Sequence, residues 1–155
     1  FCERAIAAGL PIAGALVIID TLHPIYEGHA VRWRHLGETT VTNYGRTNEG
    51  TAAENWRRST FYRLVETGAP VLRLRIDAKA VEEFPALARE LEDGRTGYVA
   101  FRSRFAAEAV IGDMDCVYSQ WVTDSAEGFV DDDVATDEVL HRESPDVRWP
   151  GVRIR

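Results

Sequence analysis

At 155 residues, with 45% hydrophobic and 28% charged side chains, the chain suits one soluble domain that can bury a core without disulfide or metal staples. Its formal charge of -7 is uneven, because Asp124 to Asp146 holds nine acids against the single Arg142. The remainder is close to neutral and lacks the basic face that nucleic-acid binding needs. No apolar run approaches the ~20 residues of a membrane span; the longest, Ala13 to Ile19, is strand-sized.

In chain order, Phe1 to Gly9 places Cys2, Ala5, Ile6 and Ala8 at helical spacing, with Gly9 as terminator. There is no start Met and no signal-peptide pattern, as expected of an excised domain. Ala13 to Leu22 is rich in β-branched residues and reads as a central strand that His23-Pro24 ends. Gly28 to Leu36 alternates His29, Val31, Trp33 and His35 against Ala30, Arg32 and Arg34, a strand with an aromatic and a basic face. Val41 to Tyr44 adds a short strand, and the polar, glycine-rich Gly45 to Ala53 reads as a flexible loop.

Ser59 or Thr60 caps a helix over Phe61 to Thr67, with Phe61, Leu64 and Val65 inward, Trp56 extending that face and Gly68 closing it. Val71 to Ile76 alternates as a strand with Arg73 and Arg75 outward. Pro85 opens a further helix, with Leu87 and Leu91 inward and Gly94 at its end. Thr96 to Asp124 then reads as two half-buried strands joined by a loose turn at Phe105 to Ala109. Val99, Phe101, Ser103 and Phe105 oppose Tyr98, Ala100, Arg102 and Arg104 in the first strand. In the second, Val110, Gly112, Met114, Cys116 and Tyr118 oppose Ile111, Asp113, Asp115, Val117 and Trp121. Asp131 to Leu140 begins a closing helix with acids in its first turn. The expected fold class is α+β, a central antiparallel sheet flanked by helices, in one domain over residues 1–140 with an irregular or disordered tail over 141–155.

Few residues carry catalytic signals. Asp113 and Asp115 share a strand face and fit a solvated surface better than a metal pair. Asp124 to Asp133 lacks the ligand spacing of an EF-hand. His23, His29 and His35 form no catalytic order, and His29 and His35 stand too far apart along a strand to share a metal. Cys2 and Cys116 have no metal-ligand spacing; Cys116 alternates with Met114 and Tyr118 as a small buried hydrophobe. A reduced, cytoplasmic setting fits two such cysteines, although a disulfide stays open. No metal is expected, and no cofactor is identified. Arg32, Arg34, Arg73, Arg75, Arg102 and Arg104 fall in Arg-x-Arg pairs on three strands, read as solvated faces that salt-bridge to acids before an anion-binding patch. Trp33, Trp56, Phe61, Tyr62, Phe101 and Tyr118 are the candidates for a ligand cavity between sheet and helices, against the plainer alternative of core packing.

Several phrases carry a resemblance: GALVIIDTLHPIYEGHAVRWRH, YGRTNEGTAAENWRRSTFYRLVETGAPVLRLRI, FPALARELEDGRTGYVAFRSRF and IGDMDCVYSQWVTDSAEGFVDDDV. Over Phe1 to Val134 the chain resembles the GAF-like sensory domain in front of the catalytic domain of bacterial class III adenylate/guanylate cyclases. The resemblance implies a regulatory, non-catalytic domain that binds a small molecule or partner domain, controls a C-terminal cyclase domain in the parent protein, and dimerises. After Leu140 the sequence loses apolar periodicity and gains Pro145 and Pro150, a departure from the helix that feeds the cyclase in that family. Two alternatives remain. One is a thiol-dependent reductase of the kind some GAF folds support, which needs an accessible Cys and a resolving partner. The other is a purely structural dimerisation module.

Overall fold

The computed structural model describes residues 1–21, 24–46, 48–104, 116–131 and 133. Within them, α1 (Cys2–Ala7) leads into β1 (Gly14–Asp20), β2 (Gly28–Arg34) and β3 (Thr40–Tyr44). Helices α2 (Gly50–Arg57) and α3 (Thr60–Thr67) follow, then β4 (Val71–Arg75) and α4 (Ala78–Glu83). A 3-10 turn (Pro85–Leu87) runs into α5 (Ala88–Glu92), and β5 (Gly97–Arg104) and β6 (Cys116–Thr123) complete the order. The fold is α+β. Its six strands form one antiparallel sheet in the order β3-β2-β1-β6-β5-β4. Two three-stranded meanders therefore meet at the β1–β6 seam, where Gly14 lies opposite Val122 and Ile18 opposite Tyr118.

Each face of the sheet has its own core. On the first, Leu16, Tyr98, Ala100, Cys116, Tyr118 and Val122 pack under Phe61 and Leu64 of α3, Ala80 of α4, and Phe84 and Leu87 beyond it. On the second, Ala15, Val99, Phe101 and Trp121 pack against Ala5 of α1 and against Leu10, Ile12 and Phe129. Full burial of a side chain such as Leu64 contributes roughly 1.5–3 kcal/mol.

The central strand pair is more deeply placed than the expected half-buried ribbon. Tyr98, Val99, Ala100 and Phe101 are all buried, so consecutive β5 residues enter opposite cores. Its outer join, and the 110–115 part of the second strand, lie outside the described residues. So do residues 105–109, most of the closing helix expected over Asp131 to Leu140, and the tail over 141–155.

Helix α3 follows from its ends. The Ser59 hydroxyl accepts from the Tyr62 amide at 3.1 Å, and Gly68 closes the helix at φ 70, a left-handed conformation that favours glycine. Phe61 and Leu64 point into the core, but Val65 faces solvent. Three further expectations are corrected. The stretch taken as a loop to Ala53 turns helical at Gly50, because Ala53 and Trp56 give α2 an inward edge. Helix α4 was not foreseen; Asp77 caps it by accepting from the Ala80 amide at 2.8 Å. Pro85 opens a 3-10 turn, and the inward residue of α5 is Glu90, while Leu91 is exposed.

Candidate functional site

Where β1, β2 and β3 end together, register sets Asp20 opposite Gly28 and Gly28 opposite Tyr44. The Tyr44 hydroxyl donates to Asp20 Oδ1 at 2.5 Å, crossing the strand between them. Gly28 makes this crossing possible, since a methyl group there would collide with the Tyr44 hydroxyl and with the Ile19 carbonyl oxygen. Burial pushes the Asp20 carboxyl up from its ordinary value; the Tyr44 hydrogen bond opposes that rise and nearby Glu27 adds to it. Tyr44 is raised as well, first by burial and then by its bond to Asp20.

Beside this corner stands an aromatic cluster on the first face. Trp56 of α2 meets Tyr118 of β6 edge-on, with ring centroids 5.8 Å apart and planes at 71°. It meets Tyr62 of α3 at 6.2 Å and 78°. Phe61 packs on Tyr118 at 5.2 Å. Phe61 and Tyr118 are buried, whereas Trp56 and Tyr62 are half-buried. Ile18, Asp20, Ala30 and Tyr44 are also half-buried, so this end of the first face is less covered than the centre.

Of the six predicted pocket residues, Trp56, Phe61, Tyr62 and Tyr118 thus come together. Trp33 and Phe101 do not join them, because both lie on the opposite face. Trp33 borders, with Arg32, Arg34, Glu90 and Gln120, a cleft of about 10 Å³. Phe101 lines another of about 10 Å³ with Leu10, Ile12, Trp121 and Phe129. Each has room for about one water and none for an organic ligand.

The Arg-x-Arg pairs do not converge either. Alternation sets Arg32, Arg34, Arg102 and Arg104 on the first face but Arg73 and Arg75 on the second. Arg32 reaches Glu90 at 3.5 Å and Arg34 reaches Asp93 at 3.0 Å, tying β2 to α5 and the residue after it. Arg73 pairs with Asp131 at 2.6 Å, and Arg75 donates to the Ala126 carbonyl at 3.3 Å. Asp113, Asp115 and His23 lie outside the described residues.

A second polar array is structural. Tyr98 is fully buried, its hydroxyl 2.6 Å from Thr60 Oγ1 and donating to Gln120 Oε1 at 2.9 Å. That joins α3 to the middle of the sheet and satisfies a phenol with no access to water. His29 Nδ1 donates to Asn43 Oδ1 at 2.7 Å, so that imidazole braces β2 to β3. Cys116 lies in the first core and Cys2 packs against the second, with both present as thiols. Among the described residues, no group of three or more His, Cys, Asp or Glu side chains is placed to hold a metal ion. No helix among them is long and apolar enough to cross a membrane. Asp20 and Tyr44 escaped the sequence reading because only strand register joins them; the one local signal was Gly28 at a strand start. Set against family models, curated proteins and solved structures, the chain finds no match.

Proposed function

We propose that this chain is a regulatory, sensory domain, with a small-molecule site at the half-covered corner formed by Trp56, Tyr62, Tyr118, Tyr44 and Asp20. One observation carries it. A half-buried carboxylate and phenol are bonded to each other on the sheet face that also carries the aromatic rings of Trp56, Phe61, Tyr62 and Tyr118. Ligand sites combine apolar walls with a few fixed polar groups in this way. The antiparallel sheet flanked by helices is compatible with the GAF-like sensory domain that the sequence resembles, and that resemblance extends the proposal to control of an attached class III cyclase. The thiols weigh against a reductase, since Cys2 and Cys116 pack on opposite sides of the sheet and have no path to one another.

Native mass spectrometry of the purified protein against its denatured mass tests the reading. A small molecule retained in the native state and lost on denaturation supports a sensor. A bare chain at dimer mass, with no compound in a metabolite panel moving the melting temperature, favours the dimerisation module instead.

A further inference from the structure

The two edges of the sheet are built differently. The β4 edge carries Arg73 and Arg75, which bond to Asp131 and to the Ala126 carbonyl, and charged side chains on an edge strand oppose pairing with another strand. The β3 edge has no such guard. Its residues, Thr40–Tyr44, include no charge, proline or glycine, and Thr40, Val41, Thr42 and Asn43 are all exposed. Thr, Val and Tyr favour strands, and among the described residues no strand lies beyond this one.

Hydrogen-bond alternation decides which backbone groups the edge offers. The His35 amide donates to the Ala13 carbonyl, so odd-numbered residues of β2 bond to β1 and even-numbered ones turn to β3. Ala30 lies opposite Thr42 and Arg32 opposite Thr40, which directs the backbone groups of Thr40, Thr42 and Tyr44 to β2. Those of Val41 and Asn43 therefore point away from the sheet. A second copy running antiparallel across a two-fold axis engages both when Val41 of each copy meets Asn43 of the other.

The same register sets Thr42 opposite Thr42 on the axis, Thr40 opposite Tyr44, and beyond them Glu38 opposite Arg46. The chain has no turn or bend between Glu38 and Arg46, and both are exposed. Opposite charges, Thr–Thr pairs and an aromatic facing a β-branched residue are the cross-strand pairings that stabilise a sheet. Registers centred on Val41 or on Asn43 keep the hydrogen-bond alternation but lose the charge match. The first sets Glu38 opposite Tyr44, and the second sets Arg46 opposite Thr40.

We propose that β3 docks antiparallel on β3 of a second copy, in the register that faces Glu38 with Arg46, joining two six-stranded sheets into one. The inference rests on this edge alone and stands whether or not the corner at Asp20 holds a ligand. A single short strand from each copy makes a small interface, so the affinity expected is micromolar.

Sedimentation velocity of the full chain over a concentration series is the test, and a reversible monomer–dimer equilibrium is the expected result. Glu38→Arg and Arg46→Glu each set like charges face to face at both ends of the interface, and each should weaken the dimer about tenfold. Glu38→Arg combined with Arg46→Glu exchanges the partners and should restore it. Both positions are exposed and lie outside β3, so the fold is preserved. Val41→Pro removes an outward N–H that β2 does not use and should leave a monomer; if that variant unfolds, the charge exchange decides. A chain that stays monomeric at every concentration overturns the proposal, and so does a dimer that the charge variants leave unchanged. Weakening by both single variants without recovery in the double one overturns the register.

Discussion

The Tyr44 hydroxyl lies 2.5 Å from Asp20 Oδ1, although a whole strand separates their backbones. The Tyr44 ring occupies the space above Gly28 where any other residue would carry a side chain. Gly28→Ala should therefore cost about 1–3 kcal/mol, as overpacking does, because the Ile19 carbonyl oxygen is backbone and cannot swing aside. Tyr44→Phe removes one hydrogen bond without a clash and should cost about 0.5–1.5 kcal/mol. Urea unfolding of the two variants checks the ordering. An alanine as benign as the phenylalanine would mean that Tyr44 does not lie across β2.

The pH dependence of stability follows from the Asp20 carboxyl. Its pKa is raised in the folded state, so the folded chain binds the proton more tightly than the unfolded chain does. The penalty for ionising it is absent below the unfolded value of about 3.9. It grows as pH rises through the folded value and is constant above that. Asp20→Asn should thus melt like the parent in acid and above it at neutral pH. Denaturant midpoints measured across that range decide the sign; a variant less stable at neutral pH would contradict it.

Two helix starts depend on single side chains. Ser59 accepts from Tyr62 N and Asp77 from Ala80 N, each satisfying an amide that the helix itself cannot. Ser59→Ala and Asp77→Ala should each cost about 1 kcal/mol. The sites belong to different helices, so the double variant should be close to additive. Thermal melts of the three proteins suffice, and a neutral Asp77→Ala would mean that packing alone holds α4.

These caps also mark how far the sequence could be read. Ser59 and Gly68 bracket α3 legibly, because an apolar face lies between two strong end signals. Helix α4 has an equally good cap in Asp77 but buries only Ala80 among its six residues, too little to create a periodic pattern. The strands β2, β4 and β5 are legible from alternation, and β1 from its β-branched residues. Alternation tells which residues share a face of one strand, but not which face of the sheet they join. Trp33 and Phe101 were for that reason grouped with rings on the other side. Half the candidate site, the rings of Trp56, Phe61, Tyr62 and Tyr118, was visible as composition. Its polar half, Asp20 and Tyr44, depends on pairing across 24 residues and could be seen only once the register was known.

The buried Tyr98 hydroxyl makes a sharper demand on stability than its modest bonds suggest. Tyr98→Phe would leave the Thr60 hydroxyl and the Gln120 amide facing a dry ring, and should cost about 1–3 kcal/mol. Thr60→Val in the same background should then cost less than it does alone, since its partner is already gone. A double-mutant cycle reads that coupling directly. No coupling would mean that Thr60 and Tyr98 do not share a bond.

Glu90 presents the opposite asymmetry. Its side chain is 8% exposed, and Oε2 has no hydrogen-bond partner among the described residues. Its partner Arg32 is 43% exposed at the side chain and can turn to water if released. Replacing the acid therefore strands nothing, whereas replacing the arginine leaves a buried carboxylate without its counter-charge. Glu90→Leu should be neutral, or stabilising by about 1 kcal/mol, as when buried ions give way to apolar groups of similar volume. Arg32→Leu should cost about 1–3 kcal/mol, the penalty for an unsatisfied buried group. Equilibrium unfolding of the two variants should place them on opposite sides of the parent or well apart. Equal losses would show that the pair contributes through mutual attraction, and that desolvation of Glu90 is not the dominant cost.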